Sequence, residues 1–335
     1  MADIAIAVLG AGSWGTTVAH LAAHNGPATV WGRRDDVAAD INTNHRNQRY
    51  LGDRALHPNL RATTDLADAV SNCDVLVMGI PCQSFRDVLG EASHHLRAWV
   101  PVVSLSKGLE RDTRMRMTQV IEAVVPGHPT GVLTGPNLAK EIVDGHAAAA
   151  VLALPDPQVA QRLQAAFSTD MFRVYTHHDV VGCELAGALK NVVALAAGMA
   201  DGLGAGDNTR AAVIARGLAE VTRVGTAMGG EPETFAGLAG MGDLVATCIS
   251  PQSRNRHVGE ELGRGKSLDQ IVEEMNQVAE GVKTTRVVMA LANEFGIEVP
   301  ITEAVFGVIE HGYPATTAYD GLLKRDIGHE VHGLD

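Results

Sequence analysis

Residues 4–23 begin with the apolar run Ile4-Ala-Ile-Ala-Val-Leu9 and pass through Gly10-Ala-Gly-Ser-Trp-Gly15. They continue from Thr17 to Ala23 with Val18, Leu21 and Ala22 at helical spacing. That order reads as strand, glycine turn, helix. Each glycine has its own reason: Gly10 permits the tight turn, Gly12 lets the backbone approach a pyrophosphate, and Gly15 lets helix and strand pack closely. Amides exposed at the helix start then face the phosphates. A glycine-rich turn with no ligand is the plainer reading, and the flanking strand and helix favour the dinucleotide.

The next strand, Ala28-Thr-Val-Trp31, ends in Gly32-Arg-Arg34. An NAD-selective site places an acid at this strand end for the ribose hydroxyls, whereas Arg33 and Arg34 suit a 2′-phosphate, so NADPH/NADP is favoured over NADH/NAD. The alternative keeps both arginines as surface charges, with Asp35 or Asp36 reaching the ribose. Further strands are expected at Leu60–Thr63, Cys73–Ile80, Val100–Leu105, Thr130–Thr134, Ala147–Leu154 and Phe172–Tyr175. Lys107 follows one of them, where a doubly wound sheet borders its ligand crevice. Gly135-Pro-Asn137 follows another and opens a helix whose amides suit an anion or a carboxamide.

After Asp179 the strand patterns stop, and helices are expected over Cys183–Leu203, Thr209–Met228, Arg254–Gly263, Leu268–Met275, Thr284–Phe295 and Thr302–Ile309. The fold class is therefore α/β: an N-terminal Rossmann-type parallel-sheet domain, residues 1–178, followed by an all-α C-terminal domain, residues 179–335. The helix that opens the second half is built from small and apolar residues, yet it carries Glu184, Lys190 and Asn191. Burial of Lys190 disfavours its ammonium form, as a catalytic acid/base requires; the plainer reading is a lysine that escapes to solvent or pairs with a carboxylate. Gly237-Leu-Ala-Gly-Met-Gly-Asp243 reads as a loop bringing backbone and one carboxylate to a ligand. Ser253-Arg-Asn-Arg256 sets a hydroxyl, guanidinium and amide at a helix start, suited to phosphate or to simple capping.

Composition bounds the partners. A net charge of −12 over 335 residues argues against nucleic acid but not against a small anionic ligand in a cationic cleft. Cysteines 73, 82, 183 and 248 lack zinc or disulfide spacing, and the pairs His94-His95 and His177-His178 lack zinc-helix spacing, so no metal is expected. The start runs straight into the glycine turn with no basic segment, so no export signal is expected and the cytoplasm is the expected location. Glu184, Lys190 and Asn191 interrupt the best apolar run short of the roughly 18 residues a membrane span needs. Oligomeric state is not legible; a homodimer is compatible.

Taken together, the motifs resemble the bacterial-type NAD(P)-dependent glycerol-3-phosphate dehydrogenase family. The matching runs are Gly10–Gly15, Ser106–Glu110, Gly135-Pro136 with Ala139-Lys-Glu141, Glu184–Asn191, Asp207–Arg210, Gly237–Leu244, Ser253–Arg256, and Glu280-Gly281 with Thr284-Thr285. The resemblance implies that Lys190 is the proton donor and acceptor. It implies substrate contacts from Lys107, Gly135, Lys190, Asp243, Ser253, Arg254 and Asn255. It also implies a cofactor site lined by Ser13, Trp14, Arg33, Arg34, Lys107, Ala139, Arg254, Val278 and Glu280, with dihydroxyacetone phosphate and sn-glycerol 3-phosphate as substrates. Two departures stand out: Asn137 where the family more often has Ser or Thr, and Cys82 where serine is commoner. A ketopantoate-type or β-hydroxyacid reductase shares the architecture, with the Ser253–Arg256 group then binding a carboxylate, and a non-catalytic NADPH-binding protein needs the glycine turn but not Lys190.

Overall fold

The computed structural model describes residues 4–275 and 279–323. Eight strands form one sheet in the order β3-β2-β1-β4-β5-β6-β7-β8. They are β1 Ile6–Leu9, β2 Ala28–Trp31, β3 Leu60–Thr63, β4 Val75–Met78, β5 Val102–Ser104, β6 Thr130–Thr134, β7 Ala148–Ala153 and β8 Phe172–His177. β1 and β4 are buried at every position, as runs of aliphatic residues covered on both faces must be. The order reverses between β1 and β4, which opens a crevice at their carboxyl ends.

The parallel sheet expected from the sequence is present, with one exception. Six neighbouring pairs are parallel, but β6 and β7 are antiparallel. The chain between them carries only the short helix Ala139–Val143 and returns to the same edge, without the long crossover a parallel pair needs. The helix Pro157–Phe167, with Pro157 in its first turn and Asp156 accepting from the Gln158 and Val159 amides, then supplies a crossover, and β8 is parallel to β7.

Among the described residues, the chain divides into two compact units, one of the residues up to 190 with 221–246 and one of residues 191–220 with those from 247 onward. That grouping differs from a cut at 178: the first part of the central helix Val180–Gly202 joins the sheet, as do residues 221–246. In the first unit, Asp179 precedes the central helix and accepts from the Gly182 and Glu231 amides and the Thr234 hydroxyl. A loop expected over Gly237–Asp243 is instead a π-helical turn, Leu238–Gly242, leading into the helix Asp243–Ile249. Gly240 makes that turn possible, because a Cβ there would lie 2.0 Å from the Phe235 carbonyl oxygen.

In the second unit, the central helix and the helix Arg254–Gly263 approach through glycines on both. A Cβ on Gly198 or Gly202 would lie 2.0–2.1 Å from the Arg256 or Glu260 carbonyl oxygen, and one on Gly259 would lie 2.0 Å from that of Leu195. Buried Glu220 accepts from the Ile301 and Thr302 amides at the start of the helix Pro300–His311, where a negative charge meets the helix dipole. The central helix is long and apolar enough to cross a membrane, which corrects the expectation that no run qualifies. Of that window, 89% is buried inside the protein.

Candidate active site

Strand ends deliver the first groups. Lys107 lies just beyond β5, and Gly135 follows β6 at φ 135°, a backbone that disfavours any side chain, where a Cβ would also lie 3.1 Å from Ala150 Cα. Lys107 Nζ donates to the Gly135 carbonyl oxygen at 2.9 Å and to Asp243 Oδ2 at 2.8 Å. The other carboxylate oxygen, Asp243 Oδ1, accepts from Lys190 Nζ. Lys190 is 5% exposed and Asp243 2%. One carboxylate thus joins two ammonium groups carried by a strand end and by the central helix.

The helix brings Lys190 there through a small residue. Glu184, Gly187 and Lys190 recur every third position, so they follow one another along a stripe of the helix surface. At Gly187 the helix comes so near the loop ends that a Cβ would lie 3.1 Å from Thr134 Oγ1 and 3.5 Å from Lys107 Cγ. Glu184 is held by residues the sequence did not single out. Its carboxylate accepts from Arg116 Nη1 at 2.6 Å, from the Thr118 amide at 2.9 Å, and from the Thr118 hydroxyl. Burial pushes the Glu184 carboxyl up, against the downward pull of Arg116 and Thr118.

The glycine turn has the form its sequence predicts. Gly10 has φ 117°, and a Cβ on it would lie 2.4 Å from the Gly79 carbonyl oxygen; one on Gly15 would lie 2.0 Å from that of Gly10. A Cβ on Gly12, by contrast, meets nothing within 4 Å, so its backbone faces open space. That opening fits a pyrophosphate at the start of the helix Ser13–Ala22. Asn47, another residue not singled out, braces the turn by donating to the Ala11 carbonyl and the Thr16 hydroxyl. Trp14 packs its ring near Phe172, at 6.3 Å between centroids, and its indole N–H has no acceptor among the described residues. The Ala139 carbonyl oxygen accepts from Thr17 at 3.5 Å, linking the helix Ala139–Val143 to the glycine-turn helix.

At the end of β2, Arg34 is committed to Asp36 through two hydrogen bonds at 2.9 and 2.7 Å, while Asp35 accepts from Thr64. Arg33 is exposed. In the second unit, Ser253 caps the helix Arg254–Gly263 and accepts from the Arg256 amide. Arg254 is exposed, whereas Arg256 is bound to Asp201, which also holds Arg210. Asn255 ties helices together, donating to Asn191 and accepting from the Gly281 amide. Glu280 opens the helix Glu280–Phe295, and Val278 lies outside the described residues. Among the described residues, no group of three His, Cys, Asp or Glu side chains is placed to hold a metal.

Comparison with known proteins gives the family. Residues 5–160 match the N-terminal family description "NAD-dependent glycerol-3-phosphate dehydrogenase N-terminus", and residues 179–320 match its C-terminal counterpart. The chain is 58% identical over 334 residues to the NAD(P)+ glycerol-3-phosphate dehydrogenase of Mycobacterium avium, covering 99% of this chain and 98% of that one. It is 60% identical over 329 residues to NAD(P)+ glycerol-3-phosphate dehydrogenase 1 of Mycobacterium tuberculosis, covering 98% and 96%. The crystal structure of glycerol-3-phosphate dehydrogenase from Coxiella burnetii is similar at a TM-score of 0.91 and 34% identity, covering 96% of this chain and 99% of that one. With both halves matched and relatives this similar over nearly their whole length, the chain belongs to the NAD-dependent glycerol-3-phosphate dehydrogenase family.

Proposed function

We infer that this chain is an NAD(P)-dependent sn-glycerol-3-phosphate dehydrogenase, interconverting dihydroxyacetone phosphate and sn-glycerol 3-phosphate. The observation that carries the chemistry is Lys190, buried on the central helix and joined through Asp243 to Lys107. When bound, the reduced nicotinamide supplies a hydride to the C2 carbonyl carbon. Lys190 donates a proton to the oxygen at C2 as it gains negative charge, and takes one back in the oxidative direction. Asp243 fixes the position of the Lys190 ammonium, and Lys107 adds electrostatic stabilisation of the developing alkoxide. Arg254 holds the substrate phosphate, with Ser253 and Asn255 as further contacts, and Gly135 is a backbone contact. Gly10, Gly12, Ser13, Trp14, Gly15, Arg33, Arg34, Ala139 and Glu280 serve the cofactor. In this functional division, residues 1–178 carry most of the dinucleotide contacts and residues 179–335 carry Lys190 and most of the substrate contacts, with Lys107 and Gly135 reaching the substrate and Glu280 the cofactor.

NADPH is the preferred cofactor. Asp35 and Asp36 are occupied by Thr64 and Arg34, and Arg33 remains exposed at the strand end for a 2′-phosphate. The product supplies glycerophospholipid synthesis, in a cytoplasm that suits four buried free cysteines. A homodimer is the proposed assembly. Loss of NADPH absorbance on mixing with dihydroxyacetone phosphate tests the reading, with ketopantoate as control. Oxidation with the first and not the second is expected; the reverse pattern overturns it. Equal use of NADH at subsaturating concentration overturns the NADPH preference.

A further inference from the structure

Asn137 is a polar residue the reaction has not yet used. Both ends of its amide, Oδ1 and Nδ2, are buried, and neither has a hydrogen-bond partner among the described residues. Leaving a buried amide without partners costs free energy that proteins ordinarily avoid, so such a group in a binding loop is a candidate for ligand contact. Its loop has two anchors. Two residues before it, the Gly135 carbonyl accepts from Lys107, the lysine that shares Asp243 with Lys190. Two residues after it, the Ala139 carbonyl accepts from Thr17 on the helix that begins at the glycine turn. Asn137 therefore lies between the turn suited to the pyrophosphate and the lysines suited to the reacting carbonyl. On the NAD(P) reading, a dinucleotide with its pyrophosphate at the turn carries its nicotinamide past this loop toward the lysines.

We propose that the Asn137 side chain recognises the nicotinamide carboxamide through a reciprocal amide pair, Nδ2 donating to the carboxamide oxygen and Oδ1 accepting from its NH2. A primary amide carries one donor and one acceptor side by side, and another primary amide is the group that satisfies both at once. The pair fixes the rotation of the ring about its glycosidic bond and so which face meets the substrate. A serine here offers a single hydroxyl and reaches less far. This inference rests on the NAD(P) reading above and deepens it.

The test uses cofactor binding without substrate, followed by the fluorescence of the reduced ring. Two ligands are compared: NADPH, and its reduced 3-acetylpyridine analogue, in which a methyl ketone replaces the amide and removes both N–H donors. The wild-type chain is expected to bind NADPH more tightly than the analogue by on the order of tenfold. Asn137→Leu and Asn137→Ser, both checked for native circular dichroism, are expected to bring the two affinities within about twofold. Discrimination unchanged in both variants overturns the proposal, as does an equal loss for both ligands or a loss confined to the KM for dihydroxyacetone phosphate. If the wild-type chain binds neither nucleotide, the NAD(P) reading itself fails, so the two failures are distinguishable.

Discussion

Around Glu184, one carboxylate is closed off by a guanidinium, an amide and a hydroxyl, all from residues 116–118. Six residues along the same helix, Lys190 enters a group in which two ammoniums share the single carboxylate of Asp243. Both are deep in the same unit, yet they are built for different ends. The first matches one positive charge to one negative and anchors the central helix to the start of the helix Met117–Val124, through Thr118 in its first turn and Arg116 just before it. The second carries two positive groups to one negative, a balance suited to an anionic substrate and to an oxygen that gains charge in the transition state. A buried ion pair is weak evidence of stability by itself, and breaking each group separates its structural from its chemical part.

Asp243→Asn is expected to have the largest combined effect. It removes the charge that positions Lys190 and leaves two ammoniums without their shared carboxylate, so kcat should fall roughly 100-fold and the melting temperature should drop as well. Steady-state kinetics and thermal denaturation read both; kcat within threefold of wild type contradicts the positioning role. Glu184→Ala should separate stability from chemistry. Loss of its three hydrogen bonds is expected to cost roughly 2–4 kcal/mol in urea unfolding while kcat, measured well below the transition, stays within about twofold. A large fall in kcat with unchanged stability would erase the distinction between the two groups.

The smallest effect lies away from both. His20 accepts the His57 amide on Nδ1 at 2.8 Å, and burial, with smaller contributions from His24 and His57, lowers its pKa to about 4. The folded protein therefore holds His20 neutral where the unfolded chain, with an ordinary value of 6.5, takes up a proton. Stability from this group is present above pH 6.5 and is lost as pH falls from there toward 4. The melting temperature should decline across that window, and His20→Gln should flatten the decline. An unchanged slope in the variant assigns the acid sensitivity elsewhere.

The strands were legible because a parallel sheet covered on both faces writes itself as short aliphatic runs, and all eight expected strands are present. Burial of Lys190 was legible for a similar reason: its neighbours are nearly all small or apolar. Other features depend on contacts that no local pattern encodes. Arg116 meets Glu184 across 68 residues, and Asn47 reaches the glycine turn across 36. The three glycines of residues 237–242 read as a flexible loop, but Gly240 is there to let the chain pack on the Phe235 carbonyl while wound in a π turn. The antiparallel return of β7 was hidden as well, since strand composition carries little information about direction.

Turnover depends most on the proton that Lys190 delivers. The direct measurement is the single-turnover rate of NADPH oxidation by Lys190→Met, mixed with saturating dihydroxyacetone phosphate after native circular dichroism and NADPH binding have been verified. A rate lowered at least about 100-fold, with cofactor affinity retained, is the predicted result. A rate within threefold of wild type contradicts it.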